Sequence, residues 1–321
     1  MNKKQILSIS LVVLIILLIA LYSEFYGDKS ADLFAMDTYC SIEIDGGKKH
    51  IANIESIIQA YDEKYDVYDE SSMIFKFNQE GSTTDAETVE LIKSLLVYNE
   101  ETLGAYDFSM KKLSDAWGFS TDKLNVLEEI DFSKFGADKV KVSENEASID
   151  GVEIDLGGVM KGYVTDKIKA YLNENQIKDA VINLGGNVYA KGEHKIGIQD
   201  PFEKDVLCSV DVTDKAVVTA GIYQRFLEDE NGNKYHHILN PKTGYPADSG
   251  IVSVSVIGDS ATECDVIATA FLVLGIDKSM EISQKFKDNE IIFITDDCVY
   301  YTHGLESKIE FLKDTNYEVI K

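Results

Sequence analysis

Apolar and polar residues follow two different periods along this chain, and segments of the two kinds alternate. A strand-like pattern predicts five short strands, at residues 40–44, 152–156, 180–184, 252–257 and 291–295. Apolar residues three or four positions apart predict helices at residues 50–65, 88–102, 167–174 and 262–274. Strands mixed with helices, without a repeating strand–helix–strand pattern, favour an α+β fold of mixed sheets with packed helices.

The first 27 residues differ from this pattern. Lys3 and Lys4 precede an apolar run from residue 6 to residue 22 that only Ser8 and Ser10 interrupt. The run has the length of a short membrane span, and neither a small-residue cleavage pattern nor a cysteine follows it. We predict an uncleaved transmembrane anchor at residues 1–27, with the body at residues 28–321 on the extracytoplasmic side of the cytoplasmic membrane. A cleaved secretory signal is the alternative, and it would export the body as well.

The net charge of the chain limits which kinds of partner it can bind. The formal net charge of the chain is −25; the first 27 residues carry +1, so the body carries −26. Such a body repels nucleic acid, so we expect no nucleic-acid partner. A phosphate substrate would need cations supplied locally, by a metal ion or by a few lysine and arginine side chains.

The four cysteines are widely spaced and form no Cys-x-x-Cys pair. This spacing is unlike a zinc or redox motif, and most of them are predicted to be buried small apolar residues. Whether any of them pair is left open. They are Cys40, Cys208, Cys264 and Cys298.

Residues 235–246 form the most distinctive local segment. This stretch holds two of the three prolines and two of the five histidines in the chain. Pro241, Gly244 and Pro246 predict a rigid, turned loop, which could hold His237 and Lys242 in a fixed geometry. The alternative is a tight turn whose histidines are incidental.

Two glycine pairs follow predicted strands. In residues 155–162, Asp155 precedes Gly157 and Gly158, and a helix start after them would suit an anion. The order of a Walker A loop is absent. Asn183 precedes the second pair, Gly185 and Gly186. For each pair, a simple glycine turn is the alternative to contact with a ligand.

Three further features could contribute chemistry. Asp265 and Thr269 are four residues apart and share one helix face, where a carboxylate and a hydroxyl offer oxygen ligands to Mg²⁺. A capping Asp and a Thr that bonds back to its own helix are the alternative. Arg225 could bind a phosphate or could lie on the surface. Trp117, near an aromatic turn at residues 104–109, could be core or could wall a site for a flat ring.

Taken in order, these segments resemble the ApbE family of FAD:protein FMN transferases. The departures are Asp37 in place of the usual Gly, Ala220 in place of Ser, and Ile222 in place of an acidic or polar residue. The resemblance covers nearly the whole body and runs through residues 36–38, 68–71, 77–78, 104–107, 117–119, 155–166, 183–186, 219–223, 237–246 and 265–269.

The resemblance implies a function and a set of site residues. The family binds FAD with Mg²⁺ and transfers its FMN half to a Thr or Ser hydroxyl of another protein, here an exported flavoprotein, with release of AMP. His237 and Asp265 would be catalytic, and Asp265, Thr269 and the carbonyl of Gly158 would hold the metal. The residues that would contact FAD are Met36, Tyr68, Ala105, Tyr106, Asp107, Asp155, Lys161 and Ile238.

Two other functions remain open at this stage. A metal-dependent FAD pyrophosphatase would use the same site with water as the nucleophile and give free FMN and AMP. A non-catalytic flavin-binding module outside the membrane would only hold the flavin. The chemistry of transfer fits the acidic body, because Mg²⁺ and Lys161 would neutralise the pyrophosphate locally. A histidine can accept the proton of the attacking hydroxyl, and an aspartate or the surroundings of the metal are the alternatives.

Overall fold

A computed structural model describes residues 29–312 and 317–320 of the chain. The predicted anchor at residues 1–27 lies outside the described residues. Within the described part, no helix combines the length and the apolar character that crossing a bilayer requires.

The helices are mostly amphipathic and carry their apolar side chains toward the core. The α-helices are α1 (Lys48–Tyr65), α2 (Met73–Glu80), α3 (Ala86–Glu101), α4 (Lys111–Trp117), α5 (Gly157–Glu174), α6 (Ala261–Leu274) and α7 (Ile276–Ile282). Short 3₁₀ turns lie at Phe132–Lys134, Ala137–Lys139, Ser283–Phe286 and His303–Leu305. All four predicted helices are confirmed, and the third begins earlier than predicted, at Gly157.

Ten of the described strands form one sheet, which is antiparallel except where its last two strands pair. Its strands are β1 (Ser30–Ala35), β2 (Thr38–Ile44), β6 (Ala180–Leu184), β7 (Asn187–Gln199), β8 (Val206–Gly221), β11 (Ser253–Gly258), β12 (Glu290–Ile294), β13 (Cys298–Tyr301), β14 (Ile309–Phe311) and β15 (Glu318–Ile320). They lie in the order β1-β2-β6-β7-β8-β11-β12-β13-β15, and β14 pairs with β8. Two small sheets hold β3 (Ser82–Thr83), β4 (Val140–Val142), β5 (Ala147–Ile149), β9 (Phe226–Glu228) and β10 (Lys234–His236).

The large sheet separates two cores. Along β12, Ile291 and Phe293 belong to the main core, whereas Ile292 and Ile294 belong to the second core. This division follows from the two-residue period of a strand, which turns successive side chains to opposite faces. Helices α1, α5 and α6 contribute to the main core, and α6 packs on β8 and β11.

A smaller third core lies apart from these two. It is built from Leu113, Trp117, Phe119, Phe135 and Leu239. Trp117 is fully buried there, so the sole tryptophan of the chain is a core residue.

The predicted strand at residues 152–156 is wrong. Its one ladder contact is an isolated bridge between Glu153 and Met110. The side chain of Asn78 forms hydrogen bonds with both backbone groups of Ile154. Its Oδ1 accepts from the N–H at 2.7 Å, and its Nδ2 donates to the carbonyl at 2.8 Å. An asparagine amide thus replaces the partner strand, which the alternation of side chains could not indicate.

The other four predicted strands are confirmed within one or two residues, and tight turns join some of them. Met36 and Asp37 link β1 to β2 with φ values of 54° and 57°. A two-residue hairpin with both residues in the left-handed region favours Gly, Asn and Asp. The Asp37 that departs from the family pattern therefore occupies a conformation that aspartate tolerates.

The cysteines behave as predicted. None of the four forms a disulfide; Cys40, Cys208 and Cys264 are buried, and Cys298 is partly exposed.

Candidate active site

The centre of the candidate site is the contact between helices α5 and α6. Gly162 of α5 lies against the first turn of α6, where a Cβ atom would come within 2.4 Å of the Ala261 carbonyl oxygen and 3.0 Å of the Asp265 Cβ. Only a glycine allows the two helices to approach this closely. By helical periodicity, Gly158 and Lys161 share the face of α5 that carries Gly162, and Thr269 shares the face of α6 that carries Asp265.

Asp166 fixes the start of α6. Its carboxylate accepts hydrogen bonds from the backbone N–H groups of Ala261 and Thr262, both at 2.9 Å, and from the hydroxyls of Ser260 and Thr262. Ser260 adds an N-terminal cap through the N–H of Glu263. The helix start is therefore capped by other groups, and the capping role considered for Asp265 is not the one that it plays.

Asp265 is 5% exposed and is held through one of its two oxygens. Oδ2 accepts from Asn187 Nδ2 at 2.7 Å and from the Gly162 N–H at 3.0 Å. Burial raises the pKa of this carboxyl, and the charge of Lys161 and these two hydrogen bonds oppose the rise. The carboxylate thus has a fixed orientation and a neighbouring cation.

The oxygens around Asp265 fit a hard cation. Among residues 29–312 and 317–320, neither Asp265 Oδ1 nor the Thr269 hydroxyl makes a hydrogen bond, so Thr269 does not bond back to its helix. In a regular α-helix the Gly162 N–H donates to the Gly158 carbonyl. Here the Gly162 N–H also donates to Asp265 Oδ2. A carboxylate, a hydroxyl and a carbonyl are oxygen donors of the types that Mg²⁺ takes, together with waters.

The site contains few classical metal ligands. In the described part of the chain, no group of three or more His, Cys, Asp or Glu side chains could hold a metal ion. The predicted set of Asp265, Thr269 and the Gly158 carbonyl includes one such side chain and is a different kind of site. Its assignment to the metal stays a prediction.

Lys161 supplies positive charge that acts on both Asp265 and His237. Burial is the main cause of the lowered pKa of His237, and the charge of Lys161 adds to that lowering. Burial also raises the pKa of Asp265, and the same charge opposes that rise. Within the described residues, its ammonium group forms no ion pair or hydrogen bond. An uncommitted cation beside a buried carboxylate suits a phosphate-bearing substrate.

The ring of His237 is held in one tautomer. Its Nδ1 lies 3.0 Å from the Arg225 carbonyl oxygen, and the backbone N–H of His237 donates to the same oxygen at 3.2 Å. Because a carbonyl only accepts, Nδ1 carries the proton and Nε2 keeps a lone pair. Loss of hydration around the ring lowers the pKa of His237 to about 4, against a smaller opposing effect of the Arg225 hydrogen bond. His237 is therefore a neutral base at neutral pH.

The loop that carries His237 is fixed by the third core. Trp117 Nε1 donates to the Gly244 carbonyl at 2.9 Å, and its ring packs against Tyr235 and Tyr245. His236 is buried and its Nε2 lies 2.9 Å from the Ala247 carbonyl, so the first histidine of the pair is structural. The turned loop predicted from its prolines and glycine is confirmed for residues 237–246, whereas Tyr235 and His236 belong to β10. Its rigidity stays a prediction.

Several predicted FAD-contacting residues surround this centre. Tyr106 is buried with its ring 4.0 Å from the position of a Cβ on Gly158, and Ala105 beside it is also buried. Tyr68 is 54% exposed, and Lys111 Nζ lies 5.2 Å from the centre of its ring. An exposed aromatic face could stack on a flat ring system.

Two of the predicted carboxylates shape backbone turns. Asp107 Oδ1 accepts from the N–H and hydroxyl of Ser109, and Oδ2 accepts from the Ala137 N–H at 3.1 Å. Asp155 Oδ1 accepts from the Gly157 N–H at 2.8 Å, just before α5 begins. Any contact of these carboxylates with a flavin stays a prediction.

The remaining predicted residues have different surroundings. Met36 is in the β1–β2 turn, whose neighbour Thr38 packs on Gly185 in the β6–β7 turn. Ile238 follows His237 and is buried. Lys242 is exposed, and within the described residues its ammonium group has no partner.

Three polar residues have roles at the site that the sequence did not predict, although Asn78 and Asp166 lie in segments of the family resemblance. Asn187 and Asp166 hold Asp265 and its helix, and Asn78 holds the segment before α5. Arg225 was noted only as a possible phosphate ligand. It is the only arginine in the chain. Its guanidinium group donates to the Phe119 carbonyl at 2.6 Å, and its own carbonyl holds the ring of His237.

The ApbE family model matches residues 36–293, which include every residue of this site. The chain belongs to the ApbE family. The resemblance found in the sequence is therefore confirmed.

Individual relatives agree with this assignment. The FAD:protein FMN transferase of Klebsiella pneumoniae is 33% identical over 147 residues, and the match spans 45% of this chain and 46% of that relative. The FAD:protein FMN transferase of Treponema pallidum is 28% identical over 278 residues, or 76% of each chain.

The fold agrees as well. The crystal structure of the ApbE protein from Thermotoga maritima matches with a TM-score of 0.80 and 27% identity, over 87% of this chain and 98% of that one. The predicted ApbE-like α+β fold of the body is confirmed.

Proposed function

We propose that this protein is a Mg²⁺-dependent enzyme that transfers the FMN half of FAD to a Thr or Ser hydroxyl of an exported flavoprotein and releases AMP. The observation that carries the proposal is the buried Asp265, whose carboxylate is oriented by Gly162 and Asn187 and has Lys161 as a neighbouring cation. A neutral His237, also within the electrostatic reach of Lys161, supplies a base. The two relatives above bear the name FAD:protein FMN transferase, which supports the same reaction.

The residues of the chain supply most of the chemistry. The acceptor oxygen attacks the phosphorus of the FMN half, and the bond from that phosphorus to the bridging oxygen breaks, so that AMP leaves with the bridging oxygen. His237 Nε2 accepts the proton of the attacking hydroxyl. Lys161 offsets negative charge on the phosphates. When bound by Asp265, Thr269 and the Gly158 carbonyl, Mg²⁺ would neutralise charge on the pyrophosphate.

One experiment separates the three candidate functions. The purified body is incubated with FAD and Mg²⁺, with and without the acceptor protein of a relative, while AMP release and acceptor mass are followed. Transfer predicts AMP and a heavier acceptor that appear together. AMP and free FMN without an acceptor would indicate a pyrophosphatase, and bound FAD without AMP would indicate a flavin-binding module.

We also propose that residues 1–27 anchor the protein in the cytoplasmic membrane with the body outside. The lysines before a single apolar run support this orientation. Protease added to intact cells or protoplasts should digest the body and leave the N-terminus protected. A body that resists protease until the cells are lysed would contradict this topology.

A further inference from the structure

Asn187 is a buried amide aimed at the candidate metal ligand. It is 1% exposed and begins β7 directly after the Gly185–Gly186 turn. Its backbone pairs with Leu184 on one side and Val218 on the other, so its position is fixed by both neighbouring strands. From there Nδ2 reaches Asp265 Oδ2 at 2.7 Å.

The two carboxylate oxygens of Asp265 differ in the hydrogen bonds that they accept. Oδ2 accepts from both Asn187 Nδ2 and the Gly162 N–H, whereas Oδ1 accepts no hydrogen bond from residues 29–312 or 317–320. Two N–H donors at one carboxylate oxygen occupy the positions that a cation would need there. Asp265 can therefore offer a cation one oxygen, Oδ1.

We infer that Asn187 sets the metal specificity of the site by keeping Asp265 a one-oxygen ligand. This inference rests on the proposed metal-dependent function. Mg²⁺ requires compact octahedral coordination and binds through single carboxylate oxygens with several waters, whereas Ca²⁺ takes more ligands and readily uses both oxygens of one carboxylate. Blocking Oδ2 disfavours Ca²⁺ and leaves the geometry that Mg²⁺ accepts.

The amide is suited to this task for two reasons. It donates a hydrogen bond, so it competes with a cation for Oδ2. It also carries no charge, so it adds no second anionic ligand that would enlarge the coordination shell. Asn187 is thus a positioning residue that acts through Asp265.

The test measures metal binding without FAD. Bound Mn²⁺ is followed by electron paramagnetic resonance and displaced with Mg²⁺ or Ca²⁺, which gives a dissociation constant for each ion. In Asn187→Ala, we expect the preference for Mg²⁺ over Ca²⁺ to fall by roughly tenfold or more, because partners that orient a metal ligand typically change affinity by this amount. An unchanged preference, or no Mn²⁺ binding by the wild-type protein, would overturn the inference.

A matched control exists on the same helix. Asn289 is a buried asparagine whose Nδ2 donates to Glu263 Oε1 at 2.7 Å, and Glu263 also lies on α6. Asn289→Ala removes an equivalent amide-to-carboxylate bond away from Asp265, so the ion preference should stay at the wild-type value. An equal change in both variants would mean that the effect comes from general loosening of α6.

Two further measurements cover the case in which Asn187→Ala does not fold. Asn187→Ser keeps a small polar side chain too short to reach Oδ2, and thermal unfolding verifies its fold. In the wild-type protein, infrared difference spectra on Mg²⁺ addition should show the wide carboxylate band splitting of one-oxygen coordination, absent in Asp265→Asn. A bidentate splitting would overturn the inference. The AMP assay tests the proposed function separately.

Discussion

The two halves of the candidate site are held in different ways. The metal half lies between α5 and α6 in the main core, where backbone approaches backbone at Gly162. The histidine half lies on the loop at residues 235–246, which the small third core fixes through one indole hydrogen bond and aromatic contacts. The metal half depends on the absence of a side chain at Gly162, and the histidine half depends on the large side chain of Trp117.

This difference has a consequence for tolerance to change. Close-packed helices cannot absorb an added atom, because the neighbouring group is backbone. A loop held by Trp117 can lose one contact and keep the others. We therefore expect the metal half to fail abruptly and the histidine half to loosen gradually.

The largest effect should come from the carboxylate of the metal half. Asp265→Ala removes the single charged ligand of the proposed metal, so transfer should fall by on the order of a thousandfold, or several kcal/mol of transition-state stabilisation. Rates of AMP release with FAD and Mg²⁺ measure this. Glu263→Ala, which removes a carboxylate outside the ligand set on the same helix, is the control. Full turnover by Asp265→Ala in EDTA would contradict the assignment of Asp265 as a metal ligand.

The corresponding change in the histidine half is His237→Ala. Transfer should fall by roughly 10²- to 10⁴-fold while FAD still binds, because a proton acceptor lowers the barrier more than it stabilises the bound substrate. Single-turnover rates and FAD titrations by flavin fluorescence give the two quantities. If FAD affinity falls in proportion to the rate, His237 is a binding or structural residue.

Gly162→Ala tests the abrupt failure of the metal half. The added Cβ would meet the Ala261 carbonyl at 2.4 Å, so the free energy of unfolding should fall by about 1–3 kcal/mol. Gly158→Ala on the same helix is the matched control, since its Cβ would find its nearest neighbour at 4.0 Å. Urea unfolding of both variants would show whether the α5–α6 contact is as tight as the distances indicate; equal stabilities would refute it.

Trp117→Phe tests the gradual loosening of the histidine half. The variant keeps an aromatic ring but leaves the Gly244 carbonyl without its donor, which should cost about 1–2 kcal/mol of folding stability. Transfer should weaken moderately, because the remaining core still holds the loop. Complete loss of transfer in a folded variant would show that the remaining contacts of the third core do not hold the loop.

The effect that is smallest at neutral pH is the protonation of His237, because the ring is then mostly neutral in the folded and the unfolded chain. The pKa of His237 in the folded protein is lowered to about 4, so the ring stays neutral well below pH 6.5. Protonation therefore favours the unfolded chain: the contribution to stability is present above the unfolded pKa of about 6.5 and is lost as pH falls through about 4. Nuclear magnetic resonance titration of the ring, native and in urea, measures both values. A native midpoint near 6.5 would contradict the ring environment described above.

Most elements of the body followed from local pattern, and the exceptions have physical reasons. The helix carrying Asp265 and Thr269 was predicted because its period lies within a few turns. The segment at residues 152–156 alternates like a strand, but the backbone of Ile154 forms its hydrogen bonds with the side chain of Asn78, 76 residues away, instead of with a neighbouring strand. The long β7 and β8 strands were not predicted, because charged and polar residues interrupt their apolar faces.

The sequence alone determined the family, the α+β class and the identity of most candidate site residues, since these depend on residue type, spacing and order. Only the tertiary structure decided how Asp265 is held, because its donors Gly162 and Asn187 lie 103 and 78 residues away. It also decided that Trp117 is core and that Nε2 of His237 keeps the lone pair. Such contacts depend on how helices and strands pack, and no local period of a chain records which distant backbone group will face a given side chain.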